Sequence, residues 1–263
     1  ECMGSDLYET PNIDWIAENG MLFTNAYAAN PYSSPTRASI ITGLWPSRIG
    51  ITRPVCHRSE KVLEPFLKDE APPESRIIQP VSVTRLKTEY KTIAESFKQA
   101  GYTTAHIGKW HLGPEPYDPF HQGFDVDIPH TPAPSPLPKG YFAPWPVYPG
   151  KGKSGDHLED RMAKEAVSFI KEHADEPFLL HYWAFSVHSP WKTKQKLIEK
   201  YERKIDFREP QHNPVYAGMV EVLDNAVGNL LKTLKEQQLI KNTIIIFFSY
   251  NGGYCWGARN YVH

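Results

Sequence analysis

The chain has 263 residues, 40% of them hydrophobic and 22% charged, with a formal net charge of −1. That length and composition suit one large globular domain or two small ones, with enough apolar material to bury a core without staples. The near-neutral balance removes the electrostatic case for nucleic acid or an anionic membrane as the main partner. No window approaches the ~18 apolar residues of a membrane span. Cys2, Cys56 and Cys255 are odd in number and widely spaced, with no Cys-x-x-Cys pair. Neither structural zinc nor a disulfide framework is indicated, and a single bridge stays open. No secretory leader pattern is visible at the start.

In chain order, Thr10 to Gly20 reads as a helix, with Thr10 as cap, Pro11 at the first helical position and Gly20 as stop. Met21 to Ala28 has the aromatics and alternation of a strand. A short helix is expected from Ser34-Pro35 to about Gly43, with Ser34 as cap. Thr92 to Ala100 is helical, stopped by Gly101, and Tyr102 to Ile107 reads as a strand. Pro114 to Gly150 is dense in proline and aromatics and is expected to be a long packed loop. An amphipathic helix over Leu158 to His173 leads into a buried strand over Pro177 to Val187. A long helix over Tyr216 to Gln237 precedes a wholly apolar strand, Thr243 to Ser249, suited to the centre of a covered sheet. Strands alternating with helices imply an α/β/α sandwich with a mostly parallel central sheet, as one domain over residues 1–263.

Two segments carry candidate chemistry. In Ser33-Ser34-Pro35-Thr36-Arg37, Pro35 starts a helix, so position 33 lies just before its N-terminus. Free backbone N–H groups and the positive dipole end favour an anion there, and Arg37 adds a planar cation suited to oxyanions. The same residues also read as ordinary serine caps beside a surface cation. In Gly108-Lys109-Trp110-His111-Leu112-Gly113, Lys109 and His111 are two apart and share a side in extended chain. A cation and an imidazole on one face suit anion binding and proton transfer. The alternative is a loop with a solvated lysine and a satisfied histidine.

Taken as full strings, Ser33-x-Pro35-x-Arg37 with Thr42-Gly43, then Gly101-Tyr102-x-Thr104 with Gly108-Lys109-Trp110-His111-Leu112-Gly113, resemble the two signatures of type I sulfatases in the alkaline phosphatase superfamily. Thr10-Pro11-Asn12-Ile13-Asp14, the helix from Asp160 to Phe169 and His188-Ser189-Pro190 resemble further family segments, so the likeness covers essentially the whole chain. It implies a sulfuric ester hydrolase whose Ser33 is converted by a formylglycine-generating maturase into formylglycine. The hydrated aldehyde would attack sulfur. Arg37 and Lys109 would stabilise the diolate and its sulfate adduct, with Lys109 also binding substrate. His111 would move the proton that regenerates the aldehyde, and His188 would hold sulfate or protonate the leaving oxygen. A serine at position 33 implies an anaerobic radical maturase or an unmodified form of a cysteine enzyme. The substrate implied is a sulfated small molecule or glycan, and the location periplasmic or secreted.

The resemblance also implies Ca²⁺, held by an Asp pair before Glu1 and by a later Asp-Asn pair. The later pair aligns with Tyr250-Asn251, so this chain offers only Ser33 and Asn251, and a tyrosine does not replace a carboxylate on a hard cation. The second lysine of the family and its C-terminal subdomain would follow His263, which makes the chain a partial domain. The rivals are a phosphonate or phosphate monoester hydrolase of the same superfamily and a degenerate homologue that binds sulfated glycans. An ordinary serine hydrolase is disfavoured, because no Gly-x-Ser-x-Gly elbow is present.

Overall fold

The computed structural model describes residues 2–136, 140–145, 152–208 and 211–253. In chain order the helices are α1 (Pro11–Glu18), α2 (Ser33–Thr42), α3 (Pro46–Ile49), α4 (Ile93–Gln99), α5 (Leu158–Glu172), α6 (Gln195–Glu202) and α7 (Pro214–Glu236). The strands are β1 (Thr103–Gly108), β2 (Val126–Ile128) and β3 (Phe178–Trp183). The alternation gives the α/β class expected from sequence. The described residues form two compact units, one from residues 2–26, 135–248 and 253, the other from 27–134 and 249–252.

The first unit is organised on α7, which packs against α1, α5 and α6. The buried residues Val215, Met219, Val222 and Ala226 run along it at spacings of three and four, followed by Leu231 and Leu234. The apolar residues Val220, Leu223, Val227 and Leu230 are only half-buried. Three neighbours spread the apolar surface around the cylinder instead of leaving one stripe. A Cβ on Gly218 would meet Thr193 Cγ2 at 2.8 Å and Leu197 Cβ at 3.1 Å, so α6 approaches closely only because that position is glycine. On α5, Leu158, Met162, Ala163, Ala166, Phe169 and Ile170 make the buried stripe. Each large side chain so buried stabilises the unit by about 1.5–3 kcal/mol.

Thr10 does not cap α1 with its side chain; its Oγ1 donates to Asp14 Oδ1 at 3.0 Å. The cap comes from α7. Asp224, 1% exposed, accepts the N–H groups of Asn12 (3.0 Å) and Ile13 (2.8 Å) and the Asn12 side-chain amide (2.7 Å). A carboxylate suits a helix start because it neutralises both the orphan donors and the dipole end.

In the second unit β1 and β2 pair in parallel, with Ala105 opposite Val126, His106 opposite Asp127 and Ile107 opposite Ile128. Helix α4 precedes β1 and packs on it. Its start is a capping box: Thr92 Oγ1 accepts the Glu95 N–H at 3.1 Å, and Glu95 accepts the Thr92 N–H at 2.7 Å. The segment expected as one long loop contains β2 and a 3₁₀ turn at Pro119–Gln122. Within it Phe124, Tyr141 and Trp145 are buried as expected, whereas Phe120 is 48% exposed.

Two expected strands are absent. Residues 21–28 form no strand, and Met21, Phe23 and Tyr27 are exposed. Residues 243–249 form none either, with Ile244 and Ile246 exposed. Strand propensity alone fixes nothing, because a strand exists through the backbone and side-chain pairs it makes with a neighbour. Neither segment has a ladder partner among the described residues. Cys56 is a buried free thiol, and Cys255 lies outside the described residues.

Candidate active site

Helix α2 begins two residues earlier than expected. Tyr32 is the cap position and Ser33 the first helical residue, with Gly43 closing the helix at φ 71°. Ser34 does not cap. It is buried, and its Oγ donates to the His111 carbonyl at 2.9 Å. The Ser33 Oγ, at the positive end of α2, accepts a hydrogen bond from Lys109 Nζ at 2.8 Å and lies 2.7 Å from the Tyr250 hydroxyl. Arg37 sits one turn further along, 2% exposed, and its guanidinium donates to the Lys109 carbonyl and to the Tyr250 oxygen (3.5 Å). Its carbon also lies 4.9 Å from the Tyr250 ring centroid, a cation over an aromatic face. Ser33, Arg37 and Lys109, singled out in two separate strings, therefore share one site.

The loop after β1 is rigidly held. Trp110 and Leu112 are buried, the Trp110 indole donates to the Tyr117 carbonyl at 3.0 Å, and the Leu112 carbonyl accepts the Leu86 N–H at 2.8 Å. Gly113 has φ +136°, and a Cβ there would meet Arg85 Cδ and Tyr117 Cβ at 2.9 Å each. His111 has φ 59°, so the chain is not extended, and the expectation that Lys109 and His111 share a side by alternation does not hold. Lys109 turns to Ser33, whereas the His111 ring turns to His57, with Nε2 2.9 Å from His57 Nδ1. One ring donates and the other accepts, so the pair carries a single shared proton between them. His57 itself is set by Arg85, whose guanidinium is buried on the carbonyls of Thr84 (2.6 Å), Arg58 (2.8 Å) and Ser59 (3.3 Å).

The electrostatics follow from burial and proximity. Burial, reinforced by the Arg37 charge, lowers the Lys109 ammonium to about 8, against the opposing pull of Tyr250. Burial pushes the Tyr250 phenol up, but Arg37, Lys109 and the Ser33 hydrogen bond outweigh it and bring the phenol down to about 7. Burial and the charges of Arg58 and Lys109 hold the His57 imidazole below its usual range. Burial pushes the Cys56 thiol up to about 12, so this thiol is inert.

The two residues offered for Ca²⁺ do not make a hard-cation site. The Ser33 oxygen faces an ammonium and a phenol, and the Asn251 amide nitrogen donates to the Gly252 carbonyl at 2.6 Å. Among the described residues no group of three or more His, Cys, Asp or Glu side chains is placed to hold a metal ion. His188 belongs to the other unit. There its Nδ1 faces the Ser189 carbonyl at 2.6 Å, and the Tyr141 hydroxyl donates to the carbonyls of Phe185 (2.8 Å) and His188 (2.9 Å). Tyr250 and His57 are the contacts that sequence reading did not assign. Tyr250 was visible only as a residue out of place, and His57 belongs to no recognisable string.

A helix start with a buried ammonium on its hydroxyl and a buried guanidinium one turn further along has the chemistry to receive an oxyanion. The family model for sulfatases, described simply as Sulfatase, matches residues 1–263. N-acetylgalactosamine-6-sulfatase of Canis lupus familiaris is 29% identical over 98% of this chain and 48% of its own length. N-acetylgalactosamine-6-O-sulfatase of Bacteroides thetaiotaomicron is 27% identical over 95% of this chain and 55% of its own. Among solved structures, Ps i-CgsB in complex with k-i-k-neocarrahexaose has a TM-score of 0.69 at 26% identity, covering 90% of this chain and 51% of that one. The chain belongs to the sulfatase family. It spans about half the length of the curated relatives it matches.

Proposed function

We propose that this chain carries the nucleophile and oxyanion-binding part of a sulfuric ester hydrolase acting on sulfate monoesters. The observation that carries the reading is the Lys109 ammonium on the Ser33 oxygen, with Arg37 in the same cluster. Position 33 suits a formylglycine, because its oxygen sits at a helix start and accepts from the Lys109 ammonium. Formylglycine, when present there, supplies a hydrated aldehyde as the nucleophile in place of a single hydroxyl. Lys109 holds the attacking oxygen in its deprotonated form. Its lowered proton affinity lets it gain or release a proton near neutral pH. Arg37 stays charged and stabilises negative charge as it develops on the sulfate. The His57–His111 pair relays the proton needed to restore the aldehyde. His188 holds sulfate or protonates the leaving oxygen. No step is routed through a metal, since the residues described here do not build its site.

The relatives named for N-acetylgalactosamine 6-sulfate point to a sulfated carbohydrate as substrate. The maturase is the one further protein this scheme needs, and a periplasmic or secreted location follows from family habit. No helix among the described residues is long and apolar enough to cross a membrane. The test is co-expression with an anaerobic maturase and mass spectrometry of the peptide bearing position 33. Parallel assays would use an aryl sulfate, sulfated N-acetylgalactosamine and an aryl phosphonate. Expected is sulfate ester turnover that tracks the aldehyde form and vanishes in Ser33→Ala. Turnover with Ser33 shown to be unmodified would overturn the scheme. Tyr250 against Ser33 favours one second reading, a sulfated-glycan-binding homologue without turnover. Saturable binding of the sulfated sugar with no hydrolysis by the aldehyde form would select it.

A further inference from the structure

The segment that carries His188 is held on one side by the start of α5 and on the other by Tyr141. Glu159, in the first turn of that helix, is 0% exposed. Its Oε1 accepts the N–H groups of Phe185 (2.9 Å) and Ser186 (3.2 Å), and its Oε2 accepts the Tyr182 hydroxyl (3.3 Å). Both oxygens are therefore spent on the end of β3 and the residues just beyond it. On the other side Tyr141, also 0% exposed, donates to the carbonyls of Phe185 and His188. Tyr141 in turn stacks on His157 at 5.4 Å and 17°, and His157 accepts the Glu159 N–H at 3.3 Å. The His188 N–H closes the turn on the Phe185 carbonyl at 3.0 Å.

A buried carboxylate is costly unless its oxygens are fully hydrogen-bonded, and here every such bond runs to the segment that leads to His188. We propose that Glu159 is a positioning residue for His188, its carboxylate fixing the turn that carries the imidazole. The proposal rests on the reading of His188 as a substrate-facing group. Burial, with Asp160 alongside, pushes the Glu159 acid up to about 7 against the pull of its three donors, so the group is under electrostatic load where it sits.

The experiment compares Glu159→Leu, Glu159→Gln, His188→Ala and Glu159→Leu/His188→Ala in the maturase-treated protein, with kcat and KM measured separately on an aryl sulfate. Glu159→Leu removes the acceptors and keeps an apolar fill. It should lower kcat/KM about tenfold or more, as a misaimed group does. The fall should divide between kcat and KM as it does in His188→Ala, a split that the accompanying drop in melting temperature from three donors without an acceptor would not by itself produce. Glu159→Gln retains an oxygen for both amides and should stay within about threefold of the parent. The double variant should be no worse than His188→Ala, because both act through one side chain. Additive losses, or a Glu159→Leu enzyme at the parental rate while His188→Ala is crippled, would overturn the positioning role alone. Parental activity in His188→Ala would overturn the reading of His188 and this inference with it. Should Glu159→Leu fail to fold, Tyr141→Phe carries the same test from the opposite side of the turn.

Discussion

The Tyr250 phenol is the most exacting test of the site, because two large effects oppose one another there. Burial favours the neutral phenol, and the cations of Arg37 and Lys109 favour the phenolate. The balance brings the group from its ordinary 10.0 to about 7, a preference for the phenolate of about 4 kcal/mol. Lys109 moves the same way, from 10.5 to about 8. The assay is the near-ultraviolet absorbance of tyrosinate as pH is raised through neutrality, compared between the parent and Tyr250→Phe. One phenol of the 14 in the chain should ionise near pH 7 and be missing in the variant. In Lys109→Met the midpoint should move upward, since one of the two cations is gone and burial regains ground. Stability carries the sign as well. Both groups have folded values below their unfolded ones, so each contributes stability that is present above the unfolded value and lost as pH falls through the folded one. The difference in melting temperature between parent and Tyr250→Phe should therefore grow between pH about 7 and about 10. Superposable titrations of parent and variant, or a difference that shrinks over that range, would show that the phenolate is not held by these cations.

Other outcomes follow from the same structure. Lys109→Ala removes a buried donor from the attacking oxygen and should cost about 100-fold or more in sulfate ester hydrolysis, measured as kcat. Asp224→Ala strips three hydrogen bonds from the start of α1 and should cost about 3 kcal/mol, lowering the melting temperature by roughly 6–12 °C. A melting temperature unchanged by that substitution would mean that α7 does not cap α1. Glu159 has a folded value of about 7 against an ordinary 4.5, so its contribution is fully present below about 4.5 and lost as pH rises through 7. Glu159→Gln should abolish that part of the stability loss, read from urea midpoints at about pH 5 and pH 8.

The parts of the fold legible in the sequence are those whose determinants are local. The capping box at Thr92 and Glu95, the apolar stripe of α5 and the glycine that closes α2 are each written within a few residues. The site was legible because its two cations and its hydroxyl lie in two dense strings. What was missed is set by distant partners. Ser34 has the makings of a cap, yet a carbonyl 77 residues away claims its hydroxyl. The cap of α1 comes from Asp224, 212 residues beyond Asn12, and no local pattern announces it. His57 meets His111 from 54 residues away, next to carbonyls that Arg85 holds. Residues 21–28 and 243–249 show the converse error, since strong strand propensity went unanswered by any neighbour among the described residues.

The Arg37 guanidinium is bonded to the main-chain oxygen of Lys109, not to its side chain. Any residue at position 109 would offer that oxygen, so the clamp between the two segments survives every substitution of the lysine. Engineering at position 109 can thus vary the reacting group while the framework around the nucleophile stays put. Replacing Arg37 does the opposite, removing a charge and unfastening the loop together. The two cations of this pocket therefore differ in kind: one is an exchangeable tool, the other part of the bench on which it is mounted.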